Sequence, residues 1–322
     1  MDPSIEIDAN VAPGQFDSTL RHLRDLGCAV RMVMPADDPA VALLEGGGLS
    51  IRLVSGDTAW PESDLDVPAL VPMFEVTRLA DTGWGVGRAG MLYRDLLPSR
   101  QGGRFIASHI RIPEAGPVPD EVHFHNIRFQ LIFCIAGWVR LVYQGQGDPF
   151  VLGAGDCVLQ PPGIRHRVLE SSAGLEVVEF TCPAAHETWF DAEMSLPTPQ
   201  QDLDFGGQRF ALHRAVEATW TPWRAPGFEC RDTGICAASG GTADARVVRA
   251  MPGVATPADH HDDDLQFWFV LSGEARLLRP DRPGERLGPG DSVATPPGMT
   301  HSLATDDAGC EFLEVTVPAE PG

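Results

Sequence analysis

The sequence predicts a mainly β protein built from two related barrel domains. Short runs of alternating apolar and polar residues recur along the chain, separated by turns rich in Gly and Pro, of which there are 34 and 28. That is the pattern of small antiparallel barrels and sandwiches, in which one face of each strand is buried. The C-terminal part also repeats the middle of the chain. Gln266 and Gly273 follow Gln130 and Gly137 at a spacing of 136 residues, and Gly290 to His301 copies Gly155 to His166 at a spacing of 135. Tyr93-Arg94-Asp95 is echoed by Cys230-Arg231-Asp232, and Gly102-Gly103 by Gly240-Gly241. A period this long indicates a duplicated domain rather than a solenoid.

Residues 1–60 stand apart. Phe16 to Leu26 reads as a short helix, with Leu20, Leu23 and Leu26 on one side and Gly27 as its stop. Residues 29–34, 40–44 and 49–54 read as strands around the Gly46-Gly47-Gly48 turn. Residues 55–75, with Pro61, Pro68 and Pro72, form a connector. Gly85-Val86-Gly87-Arg88-Ala89-Gly90 matches a dinucleotide-binding fingerprint literally, but no long helix follows, so the βαβ setting that gives the motif its meaning is missing. First-barrel strands are expected at 104–112, 121–125, 130–135, 139–143, 156–159, 166–169 and 175–180. Residues 183–225, rich in Pro and Trp, read as an irregular bridge to the second barrel.

The chemistry concentrates in His123-Phe124-His125-Asn126-Ile127-Arg128-Phe129-Gln130. Residues i and i+2 of a strand share a face, so His123 and His125 are a ready pair of metal ligands. Simple alternation would put Gln130 on the other face; a break at 126–128 brings it back. The later Pro161-Pro162-Gly163-Ile164-Arg165-His166 supplies a third imidazole after a turn. Three His and a Gln suit Fe, Mn, Co, Ni, Cu or Zn rather than Ca.

These residues resemble the two motifs of the cupin superfamily. His123, His125, Gln130 and Gly137 fall on the first motif, with Gln where Glu is usual and Gly116 one residue too far upstream. Gly155, Pro161, Gly163 and His166 fall on the second, with Glu170 where Asn is usual. The resemblance implies two double-stranded β-helix (jelly-roll) barrels, a bicupin, with a small α+β N-terminal segment. Domains are expected at 61–198 and 199–322, after an N-terminal segment, 1–60, that weakly resembles half a vicinal oxygen chelate module but offers only His22 as a ligand. In the second barrel the corresponding set is Asp259, His261, Gln266 and His301. The resemblance implies a divalent transition metal, Fe(II) first, at site one; at site two, two His and a carboxylate either hold a second metal or belong to a degenerate barrel kept for packing and dimerisation. The three-His, one-Gln set is similar to those of cupin isomerases of the bacilysin pathway and cupin hydroxynitrile lyases, and close to those of cupin dioxygenases.

The expected function is a metal-dependent enzyme acting on a small anionic organic molecule. An oxygen-dependent dioxygenase comes first, with a non-redox isomerase or lyase, or a non-enzymatic small-ligand binder, as alternatives. Neutral ligands would leave the full charge on the ion and favour anionic substrates. Arg128 and Arg165 flank the ligands and are absent from the second repeat, which makes them candidate substrate clamps. His109 and Arg111 share a strand face as barrel-wall groups. Phe133, on the face opposite Gln130, predicts an outer surface for homodimer pairing. The 45 acidic against 24 basic residues, net −21, oppose binding to nucleic acid or anionic membranes. The acidic opening residues 1–4 with no apolar run after them, the lack of a transmembrane-length apolar stretch and seven scattered Cys without a CxxC pair predict a cytoplasmic protein with reduced thiols.

Overall fold

The computed structural model describes residues 5–61, 65–87, 90–280 and 282–318. Arg88 and Ala89 of the glycine-rich stretch, and the opening residues 1–4, lie outside these. The first unit is a sandwich of two sheets. One sheet runs Phe150–Gly153, Trp138–Tyr143, His166–Ser171, His123–Asn126, Glu187–Phe190, and then continues into the N-terminal strands Ala29–Met34, Val41–Gly46, Leu49–Ser55 and Ile5–Val11. The facing sheet runs Ala211–His213, Cys157–Gln160, Phe129–Ala136, Leu175–Cys182, Ile106–Ile112, Leu92–Asp95 and Gly85–Val86. The second unit is one curled sheet, in which Leu265–Arg279 and Ser302–Val317 run through both layers.

Gly137 and Gly273, the paired motif glycines, show why these strands can turn the corner. Their φ values are 73° and 71°, a region that side chains disfavour. A Cβ on Gly273 would sit 2.1 Å from the Gly309 carbonyl oxygen, and one on Gly137 would sit 2.4 Å from Ser172 Oγ. The backbone itself occupies the space at Gly273, so only glycine fits there.

The N-terminal helix, Phe16–Asp25, ends one residue earlier than its leucine spacing suggests. Leu26 lies beyond it and is exposed, whereas Phe16, Leu20 and Leu23 pack on Val33, Leu44 and Leu53. The strand Glu187–Phe190 arises inside the stretch expected to be irregular. It pairs with His123–Asn126 on one side and with Ala29–Met34 on the other. Four residues that include Glu187 and Thr188 are too few and too polar to register as a strand by pattern. The two units also exchange strands: Glu75–Thr77 pairs with Ser292–Thr295 of the second, and Ala211–His213 with Cys157–Gln160 of the first.

Phe133 corrects one expectation. It is 1% exposed and buried, but by the second unit of the same chain. Phe129, Leu131 and Phe133 meet Leu265, Phe267 and Phe269 in one continuous core, and the Phe180 and Phe267 rings lie 5.5 Å apart. The outer faces of the two repeats therefore cover each other, as two copies would in an isologous dimer. His109 and Arg111 fall near this seam. Arg94 NH2 donates to His109 Nδ1 at 3.0 Å and to the Gly290 carbonyl at 2.6 Å. His109 Nε2 then donates to Glu176 Oε2 at 2.7 Å, and Arg111 NH2 to Glu176 Oε1 at 2.8 Å.

Cys28, Cys134, Cys157, Cys182, Cys230, Cys236 and Cys310 are free thiols. Burial pushes Cys134 and Cys310 up to about 12, which makes them inert as nucleophiles. Among the described residues no helix is long and apolar enough to cross a membrane.

Two outcomes follow from the seam. Phe267→Ala should cost about 3–5 kcal/mol, read as a lower urea midpoint. Burial, with Arg94 beside it, holds His109 down at about 4 against an ordinary 6.5. The folded state thus binds fewer protons, so this group's contribution is complete above pH 6.5 and is lost as pH falls toward 4. His109→Asn should flatten the fall of the urea midpoint over that window.

Candidate functional site

The pairing register of three strands assembles the triad. His123 lies directly opposite His166 in the antiparallel ladder, and His125 lies opposite Thr188. The three rings have centroids 4.2–5.2 Å apart. One ligand atom from each lies within 4.8 Å of the others, and all three side chains are buried. Each Nδ1 meets an oxygen that fixes the ring: Glu121 O at 2.7 Å for His123, Thr188 Oγ1 at 3.0 Å for His125 and Ile164 O at 3.0 Å for His166. With the proton on Nδ1, Nε2 carries the lone pair that binds a metal, the tautomer seen in metal-ligating histidines. The donor set therefore fits a divalent transition metal.

The break between His123–Asn126 and Phe129–Ala136 turns Gln130 toward the same cavity, where it is 1% exposed. Its Oε1 accepts a hydrogen bond from Gln160 Nε2, and Gln160 Oε1 accepts one from the Tyr143 hydroxyl. Burial pushes the Tyr143 phenol well above its ordinary value, which keeps it a donor. An amide oxygen has two acceptor positions, so Gln130 Oε1 can accept from Gln160 and still face a metal. The cavity is about 90 Å³, walled by Ile106, Ile110, Ile132, Val139 and Leu141. Sequence reasoning missed four of its polar groups: Asp37, Gln160, Glu179 and His186. For Glu179 there was a signal. Leu-Glu-Val-Val-Glu-Phe-Thr-Cys at 175–182 aligns with Cys-Glu-Phe-Leu-Glu-Val-Thr-Val at 310–317, a carboxylate held in the same place within two apolar strands.

Neither Arg128 nor Arg165 lines this cavity. Arg165 has the opposite strand parity to His166. Its Nε pairs with Asp191 Oδ2 at 3.1 Å and its guanidinium covers Phe124 at 4.2 Å, on the outer face. Arg128 sits in the strand break, where its backbone N–H donates to Cys182 O at 2.7 Å and its carbonyl accepts from Gln208 Nε2 at 2.6 Å.

The second barrel is arranged differently. Asp259, His261, Gln266 and His301 all line one cavity, but among the described residues the three-ligand group occurs in the first barrel alone. Asp259 has an 84% exposed side chain. His261 has both ring nitrogens on protein oxygens, Asp263 O at 3.2 Å and Thr295 O at 3.0 Å. The focus is instead Glu314, the repeat counterpart of Glu179, with a side chain 2% exposed. Its carboxylate accepts from Gln266 Nε2 at 2.9 Å, Trp268 Nε1 at 3.2 Å and Trp223 Nε1 at 3.3 Å, and Arg224 NH2 lies at 3.2 Å.

Two β units of one plan, the first carrying a His-x-His strand across from a His that follows a Pro-Pro-Gly turn, define a duplicated β fold with a candidate metal centre in its first unit. Residues 246–316 match the Cupin domain family. Beyond that match, the chain as a whole has the duplicated cupin fold of the solved structures it superposes on. Oxalate decarboxylase from Bacillus subtilis superposes with a TM-score of 0.56 at 16% identity, over 80% of this chain and 78% of that one. The Lactobacillus farciminis oxalate decarboxylase formate complex gives 0.57 at 15%, over 80% and 89%. A Bacillus subtilis structure described for its Mn(II) centres gives 0.55 at 15%, over 81% of each chain. At such identities the likeness is one of fold. Dimethylsulfoniopropionate lyase DddQ of Ruegeria pomeroyi is 40% identical over 63 residues, 20% of this chain and 31% of that protein. The match thus spans about a third of the relative's length.

Gln160→Leu should loosen Gln130 while leaving the triad in place. Metal affinity is expected to fall by about 10–100-fold, measured by competition with a chelator of known affinity.

Proposed function

We propose that the first barrel is the active site of a metal-dependent enzyme that performs lyase or isomerase chemistry on a small organic anion. The observation that carries this reading is the placement of Glu179 in the same small cavity as the histidine triad. His123, His125 and His166 would hold the ion, with Gln130 Oε1 as a fourth ligand. A divalent ion there would act as a Lewis acid toward a substrate oxygen. Glu179 is placed to take a proton from carbon beside that oxygen, as elimination and isomerisation both require. The Tyr143–Gln160–Gln130 chain holds the amide still, and the apolar walls exclude water, which strengthens every charge interaction inside.

The partial similarity to a lyase supports non-redox chemistry, and the fold shared with a decarboxylase that has Mn(II) centres keeps Mn(II) beside Fe(II) as a suitable ion. Three imidazoles also suit oxygenases, so the dioxygenase expectation is separated by measurement. Turnover of the identified substrate should proceed without O2; strict dependence on O2 uptake would reverse the reading. Replacing His125 and His166 together by Ala should remove the first-barrel metal, read by elemental analysis. Glu179→Gln should lower kcat by about 10²–10⁴-fold with metal content unchanged, and normal turnover in that variant would remove Glu179 from the role of base.

A further inference from the structure

Two buried acceptors in the first cavity lack donors. His186 is 4% exposed, lines the cavity and meets His125 edge-on with centroids 5.4 Å apart. Its Nδ1 lies 3.0 Å from the Pro183 carbonyl. A carbonyl only accepts, so Nδ1 carries the proton and Nε2 carries a lone pair. That Nε2 is buried with no hydrogen-bond partner among the described residues. Asp37 Oδ1 is in the same condition, while Oδ2 of the same carboxylate pairs with Arg100 NH2 at 2.6 Å. Asp37 comes from the turn between Ala29–Met34 and Val41–Gly46. The N-terminal segment therefore reaches the cavity through the sheet that it extends. His186 does not belong to the three-ligand group, so its lone pair is not spent on the triad's ion. Buried polar groups that find no partner cost free energy comparable to a lost hydrogen bond, and two such acceptors beside one cavity are matched by a ligand that brings donors.

We infer that the ligand of the first barrel is a bifunctional small acid, with a carboxylate directed to the triad and a terminal donor at the other end: a hydroxyl that donates its one proton to His186 Nε2, or an ammonium that donates to both His186 Nε2 and Asp37 Oδ1. The inference rests on the triad being a metal centre, and it adds what the rest of the cavity selects. His186 is then a specificity-determining residue, and residues 1–60 supply part of the substrate site.

The test uses the full chain loaded with Co(II), whose visible absorption reports ligand binding. The probes are propionate, 3-hydroxypropionate and β-alanine, which share a carboxylate and differ in the terminal donor. At least one donor-bearing acid should bind about tenfold tighter than propionate; which one does so distinguishes hydroxyl from ammonium. His186→Leu should bring the ratio to about one, and His186→Gln, which keeps an acceptor oxygen, should retain part of it. Equal binding of the three acids by the wild-type protein overturns the inference, as does a preference that survives His186→Leu. If the Leu variant does not fold, the wild-type ranking and the Gln variant decide. Failure of the wild-type chain to take up Co(II) at the triad overturns the functional reading and this inference with it. Uptake without a ranking overturns this inference alone.

Discussion

The site depends on one strand register. His123–Asn126 is held between His166–Ser171 and Glu187–Phe190, which sets His123 opposite His166 and His125 opposite Thr188. The same alignment that gathers the rings places the hydroxyl that orients one of them. A slip of one residue would turn both imidazoles to the outer face and bring Phe124 inward. That outer face already holds Phe124, Trp189 and Arg165 in contact, so packing on both faces defends the register. The N-terminal strands add to the same sheet, which ties the turn bearing Asp37 to the strand that orients the triad.

Duplication produced two barrels with one plan and different centres. Glu179 and Glu314 hold equivalent places, each across a ladder from a residue of the paired strand, Ile132 in the first unit and Trp268 in the second. In the second unit Trp268, Trp223 and Arg224 supply donors that, with Gln266, satisfy the buried carboxylate. A buried charge is tolerable when it is paired and hydrogen-bonded in this way. The second cavity thus keeps its carboxylate hydrogen-bonded to Trp, Gln and Arg side chains, and the first places the equivalent carboxylate on the cavity that the histidine triad lines.

The two units also depend on each other for burial. Alternate residues of Phe129–Ala136 and Leu265–Arg279 form one shared core, and each unit lends the other an edge strand. Covering these edges removes open ladders that would otherwise pair with another chain. Neither repeat would bury its Phe-rich face alone.

The sequence by itself determined the fold class, the duplication and the triad, because these rest on local rules. Alternation marks a strand, Gly and Pro mark its ends, and His-x-His puts two rings on one face. It also carried the difference between the repeats, since Asp259 stands where the first repeat has His123. The tertiary structure decided what depends on partners distant in the chain. Phe133 reads as an outer face from parity, and only packing shows that the second repeat covers it. Arg165 neighbours His166 in sequence but is held on the opposite face by strand parity and by Asp191. Asp37, Glu179 and His186 reach one cavity from three separated segments, and no spacing rule links residues whose proximity arises from sheet pairing. Local pattern encodes which face a residue occupies; what that face meets is set by long-range pairing and burial.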